Sequence, residues 1–210
     1  MKRHHINFVF RLISCCLIIS LSITLQTVAA EQGLLAPDKL IDELKKGGLI
    51  IFFRHAATDH SKDDLHPVVM SDCATQRNLS QRGREQAKNI GKTISRLGIL
   101  IDDVVSSPFC RCHDTAELMF GRYRLDDNLY FAVAVDKERR EEQAGYLRGL
   151  LSSFPKQGMN NVIVSHTGNL REASGIWPKP EGVAWIFRPK EKGQYEALGS
   201  IDPSFWTNAR

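Results

Sequence analysis

The feature that most restricts the fold of this chain is a set of short apolar runs separated by segments of helical period. Leu49-Ile50-Ile51-Phe52-Phe53 and Val162-Ile163-Val164-Ser165 show no polar alternation, and Asp103-Val104-Val105-Ser106 is a shorter run of the same kind. A strand that is apolar on both faces must be covered on both faces, as in a parallel sheet between two helix layers. The intervening segments supply those helices. Pro37 to Lys46 carries Leu40, Ile41 and Leu44 at helical spacing and stops at Gly47-Gly48, and Ser80 caps a segment in which Ala87, Ile90, Ile94 and Leu97 share one face before Gly98. Pro108 stands near another helix start that Thr115 to Phe120 continue to Gly121, while Asp136 to Phe154 places Tyr146, Leu147, Leu150 and Leu151 along one side. With a later strand at Val183 to Phe187, the sequence predicts a three-layer α/β/α domain with a mainly parallel sheet. The polar stretch Asp59 to Gln76 is long enough for a lid or binding loop.

In open α/β sheets, functional groups gather beyond the carboxyl ends of strands. Here those ends read Arg54-His55-Ala56-Ala57-Thr58, Ser107-Pro108-Phe109-Cys110-Arg111 and His166-Thr167-Gly168-Asn169. Taken singly, each histidine reads as structural and each arginine as an ion-pair residue; three agreeing ends outweigh that. Together they describe a pocket for a tetrahedral dianion, because guanidinium forks match phosphate oxygens. Arg54 and Arg111 are the expected clamps, with His166, the Thr58 hydroxyl and Thr167 as further phosphate contacts. A neutral imidazole can attack phosphorus and hold the phosphoryl group covalently, and His55 is placed for that. Most of the remaining catalysis must come from fixed positive donors around the equatorial oxygens.

Residues 1–30 read as a secretory signal peptide. Met1 to Arg11 is basic, Leu12 to Leu25 is almost wholly apolar or small, and Val28-Ala29-Ala30 is a small-residue exit, which predicts cleavage after Ala30. About 14 apolar residues fall short of the roughly 20 needed to span a bilayer, so no stable membrane insertion is expected once the signal is cut. Leu12-Ile13-Ser14-Cys15 has the form of a lipid-acylation box, but Arg11 directly precedes it and leaves almost no apolar stretch in front. The expected location is therefore periplasmic or secreted, with residues 31–210 as the working domain. Lys2, Arg3 and Arg11 lie in the signal and no acid does, so the formal charge of +4 falls to near +1 in the remaining 180 residues. That balance gives no electrostatic case for nucleic acid. A chain of this size buries roughly 70% of its unfolded surface and needs no disulfide framework. Cys73, Cys110 and Cys112 remain, an odd number that allows one bridge, and Cys73 can pair with either of the other two.

Four motifs in order then resemble the histidine phosphatase superfamily, in particular its branch with the phosphoglycerate-mutase-like fold. Arg54-His55-Ala56-Ala57-Thr58 is similar to the family's Arg-His-Gly/Ala signature with its following Thr. Leu79-Ser80-Gln81-Arg82-Gly83-Arg84-Glu85-Gln86-Ala87 resembles its Leu-Ser/Thr-x-x-Gly-x-x-Gln-Ala helix start. Ser106-Ser107-Pro108-Phe109-Cys110-Arg111, followed by Thr115-Ala116, resembles its Ser-Ser-Pro-x-x-Arg, and Val164-Ser165-His166-Thr167-Gly168-Asn169 its second histidine motif. The resemblance spans residues 49–188 and implies that His55 becomes phosphorylated while Arg54, Arg111 and His166 bind the transferred group. The family also uses an acid to protonate the leaving group. Spacing favours Glu138, with Asp136 next; Glu181, in Pro180-Glu181-Gly182, competes because the members that look closest to this chain carry an acid there.

With the predicted export, the resemblance to an envelope phosphatase of lipopolysaccharide core heptose implies an exported phosphomonoesterase acting on small phosphorylated sugars or envelope glycans. Phosphoprotein substrates, including phosphohistidine, fit the same residues, as does a catalytically silent phosphosugar-binding protein. Export disfavours a phosphomutase. No metal or other cofactor is called for: Cys110-Arg111-Cys112-His113 lacks a second cysteine pair for zinc, and Asp59, His60, Asp63, Asp64 and His66 read as a polar lid. Trp177, Trp185 and Trp206 have no accompanying basic stripe and are expected to pack or to line the pocket rim.

Overall fold

The apolar runs become the centre of one six-stranded sheet. In the computed structural model, which describes residues 33–208, the strands are β1 (Ile50–Arg54), β2 (Ile101–Ser106), β3 (Arg124–Leu125), β4 (Asn160–Ser165), β5 (Ala184–Lys190) and β6 (Gln194–Ile201). Their order is β3-β2-β4-β1-β5-β6, with β3, β2, β4 and β1 parallel to one another. β5 returns antiparallel to β1, and β6 pairs antiparallel with β5. The helices are α1 (Pro37–Lys46), α2 (Gln81–Arg96), α3 (Cys110–Phe120), α4 (Lys137–Leu151), α5 (Thr167–Ser174) and α6 (Pro203–Asn208). The expected signal peptide and its Ala30 cleavage point lie outside the described residues. Among the described residues no helix is long and apolar enough to cross a membrane.

Alternation of side chains along each strand divides the core into two. Ile51 and Phe53 of β1, Val162 and Val164 of β4, and Ile186 of β5 face a cluster that holds Leu40 and Leu44 of α1, Ile90 and Ile94 of α2, Ala116 of α3 and Trp206 of α6. Ile50, Phe52 and Ile163 point the other way, onto Leu147 and Leu151 of α4 and Leu170 of α5. This is the three-layer arrangement the apolar runs require. The helix ends follow ordinary capping: Ser80 accepts from Gly83 N, Asp136 from Arg139 N, and Pro37 occupies the first turn of α1.

Several boundaries differ from expectation. β2 begins at Ile101 and β5 runs on to Lys190, while α4 stops at Leu151 rather than Phe154. β6, α5 and α6 had no periodic apolar signal. β6 is an edge strand of mixed burial, α5 is eight residues long and α6 six. β3 is two exposed residues.

Candidate active site

Strand register brings the chemistry together. Arg54 lies opposite Ser165 across β1 and β4, and Ser106 opposite Val164 across β2 and β4, so three neighbouring strands end level. His55, Ser107 and His166, each the first residue past its strand, start from that line. Backbone bonds hold them there: His55 N donates to Ser165 O at 3.0 Å and Ser107 N to Val164 O at 2.9 Å. The loop after β1 is pressed from outside by α2. Gly83 stands where an added Cβ would come within 1.8 Å of Ala57 O, so a side chain there would displace the His55 loop.

His55 is buried, and its Nδ1 lies 2.9 Å from Ala56 O. A carbonyl only accepts, so Nδ1 carries the proton and Nε2 keeps a lone pair. Burial, then the positive charge of Arg111, push the His55 pKa down to about 3, so the imidazole is neutral at any ordinary pH. His166 is buried beside it, with ring centroids 5.5 Å apart, and the same causes hold its pKa well below the usual range. Its Nε2 shares a 2.9 Å hydrogen bond with Ser107 Oγ, and Phe109 and Phe131 pack against its ring.

Arg54, His55, Arg77, Arg111, His166 and Thr167 share a cavity of about 250 Å³. Arg111 is 1% exposed, and its guanidinium stacks 4.4 Å above the Phe109 ring. Its Nη1 donates to Asp64 Oδ1 at 2.8 Å, and the same oxygen accepts from Arg77 N at 2.8 Å. Asp64 thus fixes two arginines at once. The Nε groups of Arg54, Arg77 and Arg111 are buried and without a hydrogen-bond partner. Three buried donors of one charge, next to a neutral imidazole with a free lone pair, suit a tetrahedral oxyanion.

Arg77 and Asp64 were not anticipated. The signal for Arg77 is its place two residues before the Leu79-Ser80 helix start, where the lid returns to the pocket. Asp64 sat among other lid carboxylates, with nothing in sequence to single it out.

Of the three candidate acids, the structure brings Glu181 to the site and leaves the other two away from it. Glu181 Oε1 accepts from Arg54 Nη2 at 3.1 Å and Thr58 Oγ1 at 2.9 Å; Oε2 accepts from Thr58 N at 3.1 Å. His60 Nε2 lies 3.2 Å from Oε2. Gly182, at φ +84°, makes the turn that aims this carboxylate, and its N–H donates to His55 O at 2.9 Å. Burial raises the proton affinity of Glu181, but the hydrogen bonds from Thr58 and the Arg54 charge outweigh it, and the net shift is downward. Asp136 instead caps α4 through Arg139 N, and Glu138 is exposed on the first turn of α4. Thr58 gives its hydroxyl to Glu181, and Thr167 lines the cavity.

The lid folds back onto the site through a bridge between Cys73 and Cys110, the residue before Arg111. Gln76 Oε1 accepts from Cys110 N at 2.9 Å beside it. Cys112 is free and buried, with its Sγ 3.5 Å from His166 Nε2, and burial raises its pKa to about 12, so it stays a thiol. The bridge commits the two sulfurs that His113 approaches, and they are not free to ligate a metal. Of the tryptophans, Trp206 is core, Trp185 is partly buried on β5, and Trp177 is 49% exposed at the cavity mouth.

A model of the histidine phosphatase superfamily (branch 1) matches residues 50–157. The chain belongs to that superfamily. No curated protein matches it. Among solved structures it is similar to the protein histidine phosphatase SixA complexed with tungstate, at 15% identity and a TM-score of 0.52 over 74% of this chain and 97% of the other. Mycobacterial glucosyl-3-phosphoglycerate phosphatase with VO3 gives 16% and 0.53, over 72% and 97%. Phosphoserine phosphatase from Entamoeba histolytica with 3-phosphoglyceric acid gives 15% and 0.52, over 73% and 96%. These likenesses establish the mixed α/β fold with its mostly parallel sheet.

Proposed function

We propose that this chain is an exported, metal-independent phosphomonoesterase that works through a phosphohistidine at His55, on small phosphorylated sugars or envelope glycans. The observation that carries the reading is that Arg54, Arg77 and Arg111 line one cavity together with His55, whose Nε2 keeps its lone pair.

In this mechanism the non-bridging oxygens of the phosphate accept from Arg54, Arg77 and Arg111. His55 Nε2 attacks phosphorus, the bond to the leaving oxygen breaks, and Glu181 gives that oxygen a proton. Glu181 then takes a proton from the water that cleaves the P–N bond, releasing inorganic phosphate. At rest Glu181 is held ionised by its hydrogen bonds from Thr58 and by the Arg54 charge. The substrate binds as its monoanion; as the phosphate takes over Arg54, the negative charge beside Glu181 raises the carboxylate's proton affinity, and the substrate's proton passes to Glu181, leaving the bound phosphate a dianion. Charge on the equatorial oxygens is met by donors already in place, and no step calls on a metal ion.

Export rests on the basic, apolar and small-residue succession of residues 1–30, and the glycan class on that export joined to the resemblance to lipopolysaccharide core heptose phosphatases. Hydrolysis of p-nitrophenyl phosphate by the purified chain tests the chemistry. Turnover that persists with a chelator and disappears in His55→Ala is the expected result. Turnover abolished by the chelator, or retained in His55→Ala, overturns the proposal.

A further inference from the structure

The cavity extends outward from His55 along a wall that the proposed chemistry does not use. Its outer part is formed by Thr167 and Arg171 of α5 and by Trp177 and Lys179 of the loop that also carries Glu181. Thr167 and Arg171 are four residues apart and so share one face of α5. Arg171 therefore sits about 6 Å further from the His166 end of the helix, at 1.5 Å per residue. Trp177 gathers both cations: the Arg171 guanidinium lies 5.1 Å and the Lys179 ammonium 5.2 Å from its ring centroid. The Thr167 hydroxyl, 3.5 Å from Pro178 O, ties the loop to the helix.

Charge at this wall exceeds what a transferred phosphoryl group needs. Asp64 neutralises one of the three inner arginines, and with Glu181 protonated the other two match a phosphate dianion. Further out, Glu172 pairs with Arg171, and apart from Glu172 no carboxylate pairs with Arg171 or Lys179 among the described residues. A sugar hydroxyl gains little from such a cation, whereas a second anion one helical turn from the phosphate would be met by charge-assisted hydrogen bonds.

We infer that Arg171 and Lys179, held by Trp177, form an outer anion subsite, and that the favoured substrates are sugar phosphates bearing a second anionic group. This rests on the phosphatase reading above and names its substrate class. The second group is a carboxylate or another phosphate, and the shared requirement is negative charge set off from the scissile ester by a sugar-sized spacer.

The test compares kcat/KM for glucose 6-phosphate with 6-phosphogluconate, and fructose 6-phosphate with fructose 1,6-bisphosphate. Within each pair the doubly anionic member is expected to be preferred by about tenfold or more, the factor that 1.4 kcal/mol of differential binding confers. The preference should shrink as salt is added, since the rim is exposed, and should collapse towards unity in Arg171→Ala and Lys179→Ala. The first pair isolates a carboxylate and the second a phosphate, so the two anions are told apart. Ratios near one in the native chain, while p-nitrophenyl phosphate is turned over, would overturn the subsite and leave the phosphatase reading intact. If no phosphate ester is turned over, calorimetric binding of the same four sugars to His55→Ala decides the subsite alone: equal affinities within each pair reject it. Faster turnover of a singly phosphorylated acidic peptide than of either doubly anionic sugar would also reject it, in favour of a protein substrate.

Discussion

Glu181 has two duties that pull its proton affinity in opposite directions. It orients Arg54 and Thr58 as a carboxylate, and in the proposed mechanism it donates a proton during P–O cleavage. Its folded pKa is lowered, so the free enzyme at neutral pH carries it ionised, and the proton it later delivers arrives with the substrate monoanion. For substrates with poor leaving groups, kcat/KM should therefore fall as pH rises past the phosphate's second ionisation near about 6. Glu181→Gln should lower turnover of an alkyl phosphate by about 10²- to 10⁴-fold while affecting p-nitrophenyl phosphate far less, because nitrophenolate leaves without protonation. Asp136→Asn and Glu138→Gln should leave the alkyl phosphate rate near that of the native chain. A rate lost in Glu138→Gln and kept in Glu181→Gln would reverse the assignment. Residue identity at the strand ends was legible in sequence because Arg54, His55, Arg111 and His166 each follow or closely trail an apolar run. The acid was not, since Glu181 reaches the site from a loop whose path depends on the antiparallel return of β5.

At the scale of elements, the lid is where sequence and structure part most. Residues 59–76 read as a lid or binding loop without naming what it brings; the segment supplies Asp64, leads directly into Arg77, and is fastened by the Cys73–Cys110 bridge. Pairing could not be read from spacing because Cys110 and Cys112 are two residues apart on one helix, and only the lid's path decides which one Cys73 meets. The bridge closes a separation of 37 residues, for which chain entropy and measured cases suggest about 2–4 kcal/mol of stability. Cys73→Ser should lower the unfolding free energy by that order in a denaturant titration. The same variant should raise KM or depress kcat, since a shift near 1 Å in Arg111 or Arg77 can cost about 10² in rate. Unchanged kinetics with an unchanged midpoint would show that the lid holds itself. The parallel centre of the sheet was legible because buried strands leave continuous apolar runs; β6 was not, because an edge strand half open to water leaves none.

For the whole molecule, two buried neutral histidines tie stability to pH. His55 and His166 have folded pKa values depressed below the 6.5 of the unfolded chain, to about 3 for His55. The unfolded state then binds more protons, so their contribution is fully present above pH 6.5 and is lost as pH falls from there. The carboxylates of Asp64 and Glu181 are lowered too and act in the same direction, but only as pH drops through the ordinary carboxylate range. Tm should accordingly decline between about pH 6.5 and 5, before the acids take part. In His55→Asn, whose amide can still donate towards Ala56 O, the decline over that window should be shallower; parallel curves for the two proteins would refute the linkage.

The central claim is that His55 itself takes the phosphoryl group. Mixing the purified chain with p-nitrophenyl phosphate, quenching under alkaline conditions that preserve phosphohistidine, and mapping the adduct by mass spectrometry tests it directly. One phosphoryl group is expected on the peptide containing His55, formed as fast as nitrophenolate is released and absent from His55→Ala. Turnover with the label on another residue, or with no labelled intermediate and full activity in His55→Ala, would contradict it.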